Sequence, residues 1–213
     1  FEFEKIPVVE CEYDEVGFRC IEEKNGAKQI FNIGENTTLK ILNSYYYTNK
    51  ATTENDYSVC ALVTQNENNY IFTGDLEEDG EEKLIEMNEL PHVDLYKAGH
   101  HGSKTSSSEA FLNVIQPKVC CVCCCAGSPE YTKNVDNQFP TQQFINNISV
   151  WTTEVYVTTL CVDYANDKFE SFNGNIVYLQ TSAGYNVSCS NNNIKLKDSD
   201  WFKSNRTCPA NWL

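Results

Sequence analysis

Histidine is scarce in this chain: three occur in 213 residues, His92, His100 and His101. An imidazole-rich centre therefore has to come from one short stretch. Positive charge is scarce too, with 16 Lys and Arg against 30 Asp and Glu and a net charge of −14. That balance excludes a broad electrostatic grip on a nucleic-acid backbone, which is bound mainly through Lys and Arg. It leaves room for chemistry on phosphodiesters, because bound metals supply positive charge locally. No apolar run approaches the roughly 20 residues of a membrane helix. The opening FEFEKIPVVE lacks the apolar core of a signal peptide.

What is present is a globular composition, 41% hydrophobic and 12% aromatic, enough for one sizeable core and short for two full domains. The chain is organised around Tyr70 to Ser108. An apolar run, Tyr70-Ile71-Phe72, stops at Thr73-Gly74-Asp75, and a second, Val93 to Ala98, stops at Gly99-His100-His101-Gly102-Ser103. A helix from Glu77 to Leu90, closed by Pro91, is predicted between them, which gives a βαβ unit. Leu84, Ile85 and Met87 are its core positions. Glu77, Glu78, Asp79, Glu81 and Glu82 read as a solvated acidic first turn that suits the helix dipole.

Strand carboxyl ends in α/β sheets are where ligands collect. Asp75, His100 and His101 delivered there suit a divalent metal such as zinc. The plainer reading of Asp75 is a turn or cap residue beside Gly74. Ser103, Lys104, Thr105 and Ser106 offer hydroxyl and N–H groups to a phosphate, or cap a helix starting near Ser107-Ser108-Glu109. His92, just after Pro91, reads as structural.

GDLEEDGEEKLIE followed by DLYKAGHHGSKTSSSEAFLNVIQPKV resembles the second half of a metallo-β-lactamase-fold domain of the ComEC type. Such domains occur in competence DNA-uptake proteins and in stand-alone relatives. The resemblance spans Asn55 to Pro140. It implies an α/β fold, the αββα sandwich of that family represented mainly by its second half, with a β-rich C-terminal hairpin. The domain is expected over residues 1–190, with 191–213 as a tail packing on the sheet. The resemblance also implies a metal-dependent hydrolase acting on phosphodiesters such as DNA through a metal-activated water. Zinc is the expected metal, with a two-metal site or manganese as variants. Asp75 would hold or bridge metal, and His100 and His101 would bind metal or the developing negative charge. Ser103, Lys104 and Thr105 would meet substrate. The alternative is a non-catalytic binding or scaffold domain that kept the fold but lost a complete metal site.

Two departures from the family matter. The His-rich motif of the first half, ending in Asp-His, has no counterpart, so a fragment or a half-lost site is expected, with the N-terminal half of the domain as a missing partner. Where relatives carry His-Pro before a helix, this chain has Phe139-Pro140, and phenylalanine cannot bind a metal. Asp136 or Asn137 would have to approach from the side.

The eleven cysteines invite a third reading, redox or metal storage, centred on Cys120–Cys125. The run is bounded like a buried strand, and free Cys packs as a small hydrophobe. Alternation puts Cys121, Cys123 and Cys125 on one face and Cys120, Val122 and Cys124 on the other. An odd total with adjacent cysteines suits a reducing, cytoplasmic setting. Elsewhere strands are expected at Phe1–Glu10, Phe18–Ile21, Phe31–Gly34 and Thr38–Leu42, with a turn at Asn25-Gly26. Val59–Thr64 and Tyr70–Thr73 should form a hairpin, and Asn43–Glu54 a tyrosine-bearing loop. A helix is expected at Gln142–Asn147, strands at Glu154–Thr159 and Ile176–Gln180, and a last strand at Tyr185–Cys189. Trp201, Phe202 and Trp212 should pack onto the sheet.

Overall fold

The computed structural model describes residues 11–14, 17–20, 29–166 and 168–213. The expectations for Phe1–Glu10, Ile21 and Asn25-Gly26 lie outside them. Two short strands, β1 (Cys11–Asp14) and β2 (Gly17–Cys20), pair antiparallel. The rest of the described strands build mainly one mixed sheet of eight. It starts as an antiparallel meander of β3 (Ile30–Gly34), β4 (Thr37–Ile41), β5 (Ala61–Gln65) and β6 (Asn68–Phe72). The expected hairpin is β5–β6, turning at Asn66, whose φ of 53° lies in the left-handed region that Asn tolerates.

From β6 the sheet becomes parallel. Helix α1 (Glu78–Met87) leads to β7 (Leu95–Lys97), and α2 (Glu109–Ile115) leads to β8 (Val119–Ala126). Helix α3 (Gln142–Ser149) then leads to β9 (Val155–Asp163), and β10 (Lys168–Glu170) closes the sheet antiparallel to β9. The strand order is β10-β9-β8-β7-β6-β5-β4-β3. The predicted βαβ unit is β6–α1–β7, with Ile71 opposite Tyr96.

Alternation along the strands sorts side chains to two faces. Ile71, Tyr96, Cys120, Val122, Val155 and Val157 are fully buried in one cluster with Leu84 of α1, Phe111, Leu112 and Ile115 of α2, and Phe144, Ile145 and Ile148 of α3. On the other face Val119 and Tyr156 pack against Val187, with Leu95, Cys121, Ile176 and Tyr178 at the border. Val187 and Ile176 belong to a separate hairpin of β11 (Ile176–Thr181) and β12 (Gly184–Cys189). The result is α/β: a large mixed sheet, helices on one face, a small β-hairpin on the other. Phe202 of α4 (Asp200–Asn205) and Trp212 join the main core, and the Trp212 indole N–H donates to the Thr152 carbonyl at 2.9 Å.

Several local readings change. Helix α1 stops at Met87 rather than Leu90, because the Asn88 side chain donates to the Leu84 carbonyl and to Asn43. Its buried line is Gly80, Glu81 and Leu84, and Met87 faces out at 44% exposure, not into the core. Glu81, expected on a solvated face, is fully buried. Asn43–Glu54 is more than a loop: Tyr45–Tyr47 forms a 3-10 turn that buries Tyr46 and Tyr47. The cysteine strand does alternate as expected from Cys120 through Cys124, with Cys120, Val122 and Cys124 on the main core, Cys121 on the hairpin side and Cys123 exposed, while its pairing with β9 shifts between Val122 and Cys125.

Candidate functional site

β6 and β7 are parallel neighbours, so their carboxyl ends place Gly74-Asp75 beside Gly99–Gly102. Gly74 takes φ +59°, and a Cβ there would lie 2.9 Å from the Ser58 hydroxyl. That hydroxyl accepts the Asp75 amide at 3.0 Å, which fixes the carboxylate's starting point. The turn after β7 carries two consecutive left-handed residues, His100 (φ 42°, ψ 46°) and His101 (φ 57°, ψ 22°). Such conformations cost roughly 1–3 kcal/mol each for a non-glycine residue and persist where surroundings over-determine them. Here the Gly99 amide donates to the Tyr96 hydroxyl at 2.8 Å, the His100 amide to the Gly74 carbonyl at 3.1 Å, and the Ser103 amide to the His100 carbonyl at 2.9 Å. The two imidazoles therefore project from a braced turn rather than alternating along a strand.

Each imidazole meets its own carboxylate. His101 Nδ1 lies 2.7 Å from the Cys123 carbonyl, which accepts only if that nitrogen carries the proton. Nε2, on the far side of the ring, lies 3.6 Å from Asp75 Oδ1. His100 Nδ1 lies 3.3 Å from Glu77 Oε1, and that oxygen also accepts from the Asn55 amide group at 2.9 Å and the Thr105 hydroxyl at 3.2 Å. Glu77 thus belongs to the site and not to a solvated helix face. Phe139 packs against both imidazoles, its ring centroid 5.6 Å from His100 and 5.9 Å from His101.

The loop after the histidines is held from inside. Both carboxylate oxygens of Glu81 accept backbone amides, from Ser107 at 2.6 Å and Ser108 at 2.8 Å. The Ser106 hydroxyl donates to the Leu76 carbonyl, and the Tyr96 hydroxyl pairs with Ser107 Oγ at 2.9 Å. Burial pushes the Glu81 carboxyl up to about 7, against the two amides that favour its charge. The α2 cap is Ser108, whose hydroxyl accepts the Phe111 amide; Ser103 and Thr105 instead bond each other at 3.0 Å. Ser103 is buried, Thr105 is engaged by Glu77, and Lys104 is exposed.

The structure brings Asp75, His100 and His101 to one edge, and Ser103 to Thr105 directly behind it. Asp136 and Asn137 sit in a 3-10 turn of the β8–α3 loop. Sequence reasoning missed Glu77 as a site residue, Glu81 as the internal brace, and Asp56, which is buried and accepts the Glu77 amide at 3.2 Å. The spacing of Glu77, Glu81 and Leu84 was the available signal, since it places Glu81 on the buried line of α1.

Would these residues hold zinc? The chemistry of the donors suits it: an imidazole nitrogen, on a ring oriented by a carbonyl on its other side, faces a carboxylate. The number does not, because a catalytic zinc takes three protein ligands. Among the described residues no group of three or more His, Cys, Asp or Glu is placed to hold an ion. As they stand, the described residues do not make a metal centre. The cysteines supply none either; burial pushes Cys121 up to about 12 and Cys125 to about 11, away from thiolate chemistry. No helix among the described residues is long and apolar enough to cross a membrane.

No protein-family model matches the chain. Over 51 residues it is 49% identical to ComE operon protein 3 of Bacillus subtilis (strain 168), which is 23% of this chain and 6% of that protein. Over 66 residues it is 39% identical to Recombination protein 2 of Haemophilus influenzae, 31% of this chain and 8% of that protein. The matched part spans less than a tenth of either relative.

Proposed function

We propose that this chain is a metallo-β-lactamase-like domain of the ComEC type that serves DNA uptake and meets a phosphodiester at the edge formed by Asp75, His100 and His101. One observation carries the reading: the adjoining ends of β6 and β7 set His101 Nε2 3.6 Å from the Asp75 carboxylate. The local identity to ComE operon protein 3 and Recombination protein 2 supports the competence context.

Asp75 and Glu77 make this edge acidic, and a bare phosphodiester is repelled there. A divalent ion would reverse the field and lower the pKa of a bound water toward roughly 7. Two donors do not secure such an ion, so hydrolysis by this chain requires further ligands. Asp75 and His101 would be the residues to meet such an ion, while the Cys123 carbonyl holds His101 Nδ1 and Glu77 pairs with His100. A second reading, a binding domain without hydrolysis, is favoured by Phe139, which supplies an apolar ring and no metal donor against both imidazoles.

Elemental analysis of the purified protein decides between them, with Asp75→Ala and His101→Ala alongside. Near-stoichiometric zinc or manganese, lost in both variants, supports the hydrolase and directs assays to DNA. A metal-free protein after reconstitution, inactive on DNA, leaves the binding domain and overturns hydrolysis by this chain.

A further inference from the structure

The loop between β8 and α3 carries an open aromatic ring at the end of a row that starts at the candidate site. The Tyr131 and Phe139 ring centroids lie 5.8 Å apart, tilted at 42°. Phe139 lies in turn beside His101 and His100. Rings thus run without a gap from the Asp75–His101 pair outward to Tyr131, which is 73% exposed.

Tyr131 is not what holds this loop. The Gly127 amide donates to the Phe139 carbonyl at 2.9 Å, and the Thr141 amide to the Gly102 carbonyl at 2.9 Å. Arg206 donates to the carbonyls of Pro140 at 3.0 Å and Gln138 at 2.8 Å. With the backbone secured by those bonds, the outer ring is left free to present its face. The exposed charges of the loop, Glu130, Lys133 and Asp136, leave it one negative charge, so the ring rather than the local charge is what the loop offers a strand of nucleic acid.

We propose that Tyr131, backed by Phe139, is a stacking platform for an unpaired nucleobase, which makes this edge selective for single-stranded over duplex nucleic acid. The inference rests on the reading of the Asp75–His101 edge as a phosphodiester site. A base in a duplex has both faces covered by its neighbours, whereas an unpaired base stacks on an aromatic side chain whatever its identity. Continuity of the rings with the site means that a strand whose phosphate reaches the histidines has a base beside Phe139 and Tyr131.

The test is fluorescence anisotropy with three labelled probes in manganese-containing buffer: a ten-nucleotide oligo-dT, an abasic strand of the same length and a ten-pair duplex. Wild type should bind oligo-dT more tightly than either of the others. Tyr131→Ala should weaken oligo-dT binding roughly ten-fold and leave the abasic strand unchanged, with Tyr131→Phe restoring the wild-type value. The loss should persist as salt is raised, because stacking is not screened. If Tyr131→Ala binds oligo-dT like wild type while the abasic strand still binds, the platform is overturned and the phosphodiester reading stands. Duplex binding as tight as oligo-dT also overturns the platform. If none of the probes binds wild type, both readings fall together.

Discussion

The Glu81 carboxylate and the Ser107 amide are 2.6 Å apart across 26 residues of chain. This bond ties helix α1 to the segment that follows the two histidines. A charged group has been placed inside the core to hold a loop, and its titration is therefore felt by the whole fold.

That titration sets the first expectation. A glutamate ordinarily loses its proton near 4.5, and burial raises Glu81 to about 7. Between those values the folded chain binds a proton that the unfolded chain has lost, so stability falls as pH rises. That stability is fully present below about 4.5, and about 3 kcal/mol of it is lost by the time pH passes 7. Denaturant titrations at pH 5, 6, 7 and 8 should show this decline, and Glu81→Gln should flatten it. Parallel profiles for the two proteins would assign the slope to other groups.

Gly102 tests the docking of the Phe139 loop. Its φ is +78°, and a Cβ there would sit 2.9 Å from Pro140 and 3.2 Å from Phe144. Gly102→Ala should cost about 1–3 kcal/mol from the backbone alone, seen as a lower thermal midpoint. An unchanged midpoint would mean that Gly102 neither holds its left-handed conformation nor packs against Pro140.

Arg206 is expected to restrain the same loop from the other side. Its guanidinium donates to Pro140, Gln138 and Asn205 carbonyls and lies 4.9 Å from the Trp201 ring. Arg206→Ala should let trypsin cut after Lys133 several-fold faster. Arg206→Lys should not restore protection, since an ammonium lacks the planar fork that serves several carbonyls at once. Equal cleavage of all three proteins would remove the restraint.

Site-mapped alkylation of the native protein should separate the cysteines by burial. Cys123 and Cys208 are exposed and should label promptly. Cys60 and Cys121, each raised to about 12 by burial, and the fully buried Cys120 should label only after unfolding. Early labelling of Cys120 or Cys121 would contradict their packing and reopen a redox role.

The parts of the fold that could be read in the sequence are those written in local chemistry. Glycines flanking Asp75 and the two histidines marked the ends of β6 and β7. The runs Val59–Thr64 and Tyr70–Thr73 marked the hairpin, and Pro91 the segment where α1 had already ended. What stayed hidden depends on partners far along the chain. Glu81 looks like any acid in a helix's first turn until Ser107 and Ser108 arrive to bond it. Glu77 turns inward because Asn55 and Thr105 hold it, and neither is its neighbour in sequence. The place of Phe139 was visible as a departure from the family, but its contact with both imidazoles was not, since that depends on Gly102 receiving Thr141. The cysteine alternation held from Cys120 through Cys124, but the shift in pairing with β9 between Val122 and Cys125 stayed hidden, since no residue type announces it.

The change of the sheet from antiparallel to parallel at β6 has a consequence for how the molecule is made. On the β3–β6 side most pairings close short loops, as at Asn66, and cost little chain entropy. On the β6–β9 side each strand must wait for a helix to form and return before it can pair. The edge bearing Asp75, His100 and His101 is therefore assembled late, on a meander already in place. In pulse-labelling hydrogen exchange during refolding, the amides of the β3–β4 and β5–β6 hairpins should be protected first and those of β7 after them.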